Sequence, residues 1–193
     1  MRQAALEALS ESNAKISAKT ESRVRQLLQD DPWTFVRVGA ASAMASRPAA
    51  TPGDEALMAA LDDESPLVRE AALRSIGKRR STAAAELVHD LADNPRQPQR
   101  VRVAAIAVLG ALCQVEAAPL LVKLALRAGY AQLPYDQPLG LAALAALGDI
   151  KPPDLTQRLA PLLSKNKVVP RLIRAIARDV IASPGTCNNA DRQ

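Results

Sequence analysis

Along this chain an apolar residue is followed at once by arginine. Small residues stand three and four places on, a larger apolar residue eight places on, and a glycine or another small residue after that. The arrangement reads Val68-Arg69, Ala71-Ala72, Ile76-Gly77, and again Val101-Arg102, Ala104-Ala105, Leu109-Gly110. Val36-Arg37, Gly39-Ala40, Met44-Ala45 is the copy before them, and Leu139, Ala142-Ala143, Leu147-Gly148 the copy after, with Gly140 in the arginine position. Two degenerate copies flank these, Met1-Arg2, Ala4-Ala5, Leu9-Ser10 and Ile173-Arg174, Ile176-Ala177, Ile181-Ala182. The starts at 1, 36, 68, 101, 139 and 173 are 35, 32, 33, 38 and 34 residues apart. A fixed period of this size marks stacked supersecondary units rather than one globular core.

Within each copy the apolar and small positions fall at i, i+3, i+4 and i+8, which is one face of an α-helix, and the alanines and glycines allow a neighbouring helix to come close. Each copy therefore predicts the second helix of a pair. First helices are predicted between the copies, over 22–28, 54–61, 82–91, 116–126 and 155–163. Asp30-Asp31-Pro32, Asp62-Asp63-Glu64-Ser65-Pro66 and Asn94-Pro95 separate the two helices of a pair, since Asp and Ser suit an N-cap and Pro suits a helix start. Strand signals are negligible. The pattern predicts an all-α chain, an α-α superhelix of about five helix pairs with the second helices on its inner surface. One continuous domain is expected over 1–182, and Ser183-Pro184-Gly185 is expected to end the last helix and release a flexible polar tail over 183–193. The copy at Met1 has no first helix, so either the array extends further or a partner covers Leu6 and Leu9.

The segment Leu61-Asp62-Asp63-Glu64-Ser65-Pro66-Leu67-Val68-Arg69-Glu70-Ala71-Ala72-Leu73-Arg74-Ser75-Ile76-Gly77 resembles the short bacterial HEAT repeat, including the type named after phycobilisome lyases, and the resemblance covers about residues 1–182. In that family an Asp six places before the Arg joins a ladder between repeats. Asp31 with Arg37 and Asp63 with Arg69 match by residue and spacing. The copy at 101 departs, with Arg96 where an Asp would precede Arg102, and the last two have Pro134 and Lys167 or Val168 near that place. A carboxylate can satisfy a planar guanidinium by a fork of hydrogen bonds, so Arg37, Arg69 and Arg102 read as residues that hold repeats in register. The resemblance implies a binding scaffold, but such arrays serve many functions and fold alone does not select one.

Composition narrows the chemistry. Hydrophobic residues make up 48% of the chain and charged residues 23%, as in a folded chain, but aromatics make up only 2%. The core is then Ala, Leu, Val and Ile, without the rings that usually line a small-molecule pocket. One histidine is present, His89 in Leu87-Val88-His89-Asp90-Leu91, and it reads as a surface side chain. No phosphate-cradling glycine loop, nucleophile elbow or His-Glu-x-x-His pattern occurs. Two cysteines and one histidine cannot build a tetrahedral metal site, and the acidic pairs sit in turns where capping explains them. The reading is a protein that is not an enzyme and needs no cofactor or metal. Cys113, in an apolar helical run, and Cys187, in the polar tail, are expected to be reduced thiols. The N-terminus lacks the apolar core of a signal peptide, and the stretch from Val103 to Val115 is short of the roughly 20 residues a membrane span requires. A cytoplasmic location follows as the expectation.

Three features are candidates for binding a partner. Lys167, Arg171, Arg174 and Arg178 fall on one face of the last helix, where they would suit phosphates or an acidic protein, or merely keep a terminal repeat soluble. A net charge of +5 is compatible with nucleic acid. The longest interval carries both tyrosines, Tyr130 and Tyr135, as a binding loop or as plugs for a junction without ladder residues. By resemblance to HEAT arrays, the residues two and six places into each copy face the concave side: Val38/Ser42, Glu70/Arg74, Val103/Ala107, Leu141/Ala145 and Ala175/Asp179. That row turns apolar at Val103, Ala107, Leu141 and Ala145, which suits an amphipathic helix or extended peptide, with Glu70, Arg74 and Asp179 as polar flanks. The leading expectation is a protein-interaction scaffold with a protein partner. Polyanion binding comes second, and an accessory role beside an enzyme such as a lyase third. The oligomeric state stays open.

Overall fold

The computed structural model describes residues 2–11, 17–46, 51–130, 135–164 and 168–187. These form eleven α-helices: α1 (Arg2–Glu11), α2 (Ala18–Asp30), α3 (Thr34–Met44), α4 (Thr51–Ala59), α5 (Pro66–Arg79), α6 (Ala85–Asp93), α7 (Gln99–Ala111), α8 (Ala118–Tyr130), α9 (Asp136–Ile150), α10 (Leu155–Leu163) and α11 (Arg171–Ala182). Single 3-10 turns run on from α4 and lead into α6 and α8. There is no strand among the described residues, and none of their helices is long and apolar enough to cross a membrane. Val36, Val68, Val101 and Ile173 are each the third residue of a helix and Leu139 the fourth, and all five are buried. The copy start at Met1 lies outside the described residues.

The chain divides into two compact units, Met1–Leu91 and Ala92–Gln193, with the division falling inside α6. In the first unit α1, α3 and α5 form a layer, with α2 and α4 packed on it. Alanines bring the layer together: Ala40, Ala41, Ala43 and Ala72 are buried, and the methyls of Leu6 lie against Gly39. Leu6 is thus covered by α3, while Leu9 is half-buried. Ser75 spans the α3–α5 contact through a hydroxyl that donates to the Ala41 carbonyl at 2.8 Å.

In the second unit α7, α9 and α11 form one layer and α8 and α10 the other. Leu109, Leu121, Leu139, Leu144, Leu147, Leu159 and Leu162 fill the space between the layers. Gly140, which stands where other copies carry arginine, marks the tightest crossing: a Cβ there would fall 2.0 Å from the Ala128 Cβ. An arginine cannot be accommodated where α8 presses so closely on α9.

The cysteines correct the sequence reading, because Cys113 and Cys187 are joined in a disulfide with Cα atoms 5.6 Å apart. Cys113 follows α7 in a left-handed conformation with φ of 56°. After α11, Ser183–Cys187 crosses the C-terminal end of α9, where the Thr186 hydroxyl meets Asp149 Oδ1 at 3.0 Å. Gly185 passes so near Lys151 that a Cβ would lie 2.5 Å from its Cγ. Lys151 Nζ also donates to the last carbonyls of α11, those of Val180 and Ile181. The stretch Ser183–Cys187, expected as a free tail, is therefore a strap over the ends of α11, α9 and α7. Residues 188–193 lie outside the described residues. Closing a loop of 74 residues removes unfolded-state entropy equivalent to about 4 kcal/mol. A Cys187→Ser chain should lose stability of about that size in the second unit under urea, and a reductant should have the same effect on the parent chain and none on the variant.

Candidate interaction surfaces

The ladder is built by arginines that turn back on the loop, or on the last turn of the helix, that precedes their own helix. Arg37 Nη1 donates to the Asp31 carbonyl at 3.0 Å, Arg69 Nη1 to the Asp63 carbonyl at 2.5 Å, Arg102 Nε to the Ala92 carbonyl at 3.0 Å, and Arg174 Nη2 to the Val169 carbonyl at 3.1 Å. Each guanidinium thereby satisfies a carbonyl that the turn exposes at the end of a helix pair. Side-chain carboxylates provide the links between repeats. Arg37 Nε and Nη2 grip Asp63 at 2.8 and 3.0 Å, and Nη2 also reaches Glu64 at 3.1 Å. The carboxylate of Asp31 receives Arg2 and the backbone N–H of Trp33. Each carboxylate therefore takes the arginine of the preceding copy, whereas the arginine of its own copy binds its carbonyl. Hydrogen bonds from the Arg37 guanidinium to Asp63, opposed by burial, push its proton affinity above the ordinary value, so this side chain stays charged at any working pH.

Arg79 belongs to the same framework and has no counterpart in the repeat pattern. Its side chain is 1% exposed, donates from Nε to Asp54 at 2.9 Å and from Nη1 to the Met44 carbonyl at 3.1 Å, and so joins α5 to both α3 and α4. In sequence it stands in the cationic run Lys78-Arg79-Arg80. The copy that starts at Leu139 lacks both ladder residues and uses Asp136, which is buried and accepts from Arg127 Nε at 2.9 Å.

The candidate binding residues fall in different settings. On α7 and α9, Val103 and Leu141 are half-buried and Ala107 and Ala145 exposed, all on the outer side of the α7–α9–α11 layer, and Ala175 and Asp179 of α11 are exposed as well. In the first unit Val38 and Ser42 are half-buried, and Glu70 pairs with the exposed Arg74 at 2.6 Å. Tyr130 and Tyr135 are 46% and 42% exposed. The Tyr130 hydroxyl donates to the Pro161 carbonyl at 3.3 Å, and the Tyr135 carbonyl accepts from Gln99. Residues 131–134 between them lie outside the described residues. The basic stripe is reduced: Arg171 and Arg178 are exposed, Arg174 is turned back to Val169, and Lys167 lies outside the described residues. His89 is half-buried on α6. No group of His, Cys, Asp or Glu that could hold a metal ion is present among the described residues.

Paired helices in two layers, repeated at a near-constant spacing with arginine-anchored turns, define an all-α helical repeat protein. Residues 55–133 match a family model described as HEAT repeats, and that segment of the chain is similar to HEAT repeats. No curated protein matches it.

Removing one member of a buried ion pair leaves the other charged and unpaired. Arg37→Ala should therefore destabilise the first unit by roughly 3 kcal/mol, and Arg37→Met combined with Asp63→Leu should recover most of that loss. Urea unfolding followed by the emission of Trp33, the single tryptophan, reads this locally.

Proposed function

We propose that the chain is a non-catalytic protein-interaction module that holds an amphipathic helix or an extended peptide on the outer face of α7, α9 and α11. HEAT repeats commonly act as protein-interaction scaffolds. The observation that carries the reading is the row Val103, Ala107, Leu141, Ala145 and Ala175, small and apolar side chains left accessible at equivalent places on successive helices. Such a floor has little to offer a charged ligand and suits the apolar stripe of a partner helix.

Polyanion binding through α11 is the weaker reading. A stripe of four cations would give a strong salt-dependent attraction, but Arg174 is spent on the Val169 carbonyl. The disulfide favours an oxidising compartment over the cytoplasm, because thiols are kept reduced in the cytosol.

The test is capture of partners from the host by the intact chain at low and high salt, followed by the variants Val103→Asp and Leu141→Asp. Both side chains are only half-buried, so each variant should keep its helical circular dichroism. Each should lose the captured protein by at least about tenfold in affinity. Retention of the partner by both variants, or recovery of nucleic acid alone, would count against the reading.

A further inference from the structure

The only tryptophan and the only phenylalanine of the chain are both on its surface, 59% and 50% exposed, with ring centroids 5.9 Å apart. Trp33 is the N-cap of α3 and Phe35 lies in its first turn. Leu67 occupies the matching place in α5 and is 45% exposed. Arg37 sets the two turns side by side by binding the carbonyl of Asp31 in one and the carboxylates of Asp63 and Glu64 in the other. Trp33, Phe35 and Leu67 are thus exposed apolar side chains at the matching ends of two helices whose turns Arg37 holds together, although burial of such side chains is favourable.

The surroundings of these side chains are acidic. Asp30, Asp62 and Glu64 are exposed. Asp31 is matched by Arg2 and Asp63 by Arg37, and the Arg69 guanidinium is directed at the carbonyls of Asp63 and Glu64. Counting Asp30, Asp62 and Glu64 against Arg69 leaves two negative charges. A fitting occupant presents apolar side chains flanked by cations.

The second unit carries a surface of that description. Val168 and Leu172 are each 62% exposed, the highest values among the large apolar side chains of the described residues, and they flank the start of α11. Arg171 and Arg178 are exposed on the same helix, seven residues apart and so on one side of it, with Ala175 between them. The two surfaces complement each other in hydrophobicity and in charge.

We propose that this chain associates with a second copy of itself, the Val168–Arg178 face of one copy seated on Trp33, Phe35 and Leu67 of the other. The contact is heterologous, each copy offering a different surface, so copies can join head to tail. It shares Ala175 with the proposed peptide row but leaves Val103, Ala107, Leu141 and Ala145 of that row uncovered.

Sedimentation velocity on the full chain over a wide concentration range should show mass above the monomer, and Trp33 emission should move to shorter wavelength as the concentration rises. Trp33→Ser with Phe35→Ser should weaken association at least about tenfold, and so should Leu172→Asp with Arg171→Glu. All four side chains are exposed, and circular dichroism verifies the fold of each variant. The deciding step is to mix the two double variants. Each retains the surface the other lacks, so the mixture should form heterodimers that neither variant forms alone. A parent chain that stays monomeric overturns the proposal, as does association that leaves Trp33 emission unchanged. Failure of the folded variants to complement each other points to like surfaces meeting like and overturns it equally.

Discussion

Every pair of stacked helices ends in a turn whose carbonyls are left over, and those groups must find donors if the next repeat is to close over them. In this chain an arginine one residue past the first buried apolar position of α3, α5, α7 and α11 supplies the donors. Its place is dictated by two requirements. The preceding residue has to point into the core, and the guanidinium has to reach back five to ten residues to the turn. Arg37, Arg69, Arg102 and Arg174 all meet both requirements. Lysine would offer three donors on a point charge but not the planar fork by which Arg37 binds the Asp31 carbonyl and the carboxylates of Asp63 and Glu64 together. Where the fork is absent at Gly140, the helices approach more closely and another pair, Arg127 with Asp136, closes the turn.

That arrangement explains why the fold is legible in the linear chain while much of the surface chemistry is not. Helix pairs follow from the 3.6-residue periodicity and from Pro and Asp in the turns, signals confined to a dozen residues at a time. A ladder arginine is also local, since its carbonyl partner is a few residues away. The carboxylate partner of Arg37, by contrast, belongs to the next repeat, and Asp31 turns to Arg2 rather than to the arginine six places on. Arg79 was hidden among cations because burial depends on α4 lying over it. The disulfide was hidden for a similar reason: the strap comes back over two helices before Cys187 meets Cys113, and nothing near either cysteine indicates that path.

The candidate site shows the same division. Val103, Ala107, Leu141 and Ala145 were marked out by their register within the repeat, because register decides which helix face is covered. Arg174 was assigned to a cationic stripe by the same spacing, yet its position at the start of α11 commits it to the turn. Helical spacing says which side chains share a face. It does not say which of them the backbone will claim first, and a guanidinium next to an unsatisfied carbonyl is claimed.

The small-residue core also bears on where large apolar side chains end up. With Ala and Gly at the helix contacts, neighbouring second helices lie too close to admit an indole or a phenyl ring between them, as the contacts at Gly39 and Gly110 illustrate. Ring-bearing residues can then be accommodated only at helix ends or at the margins. All four aromatic residues of this chain are indeed 42% exposed or more. The packing rule of the core and the presence of sticky margins are thus two consequences of one composition. A chain that stacks its helices through alanine keeps its aromatic side chains where another molecule can reach them.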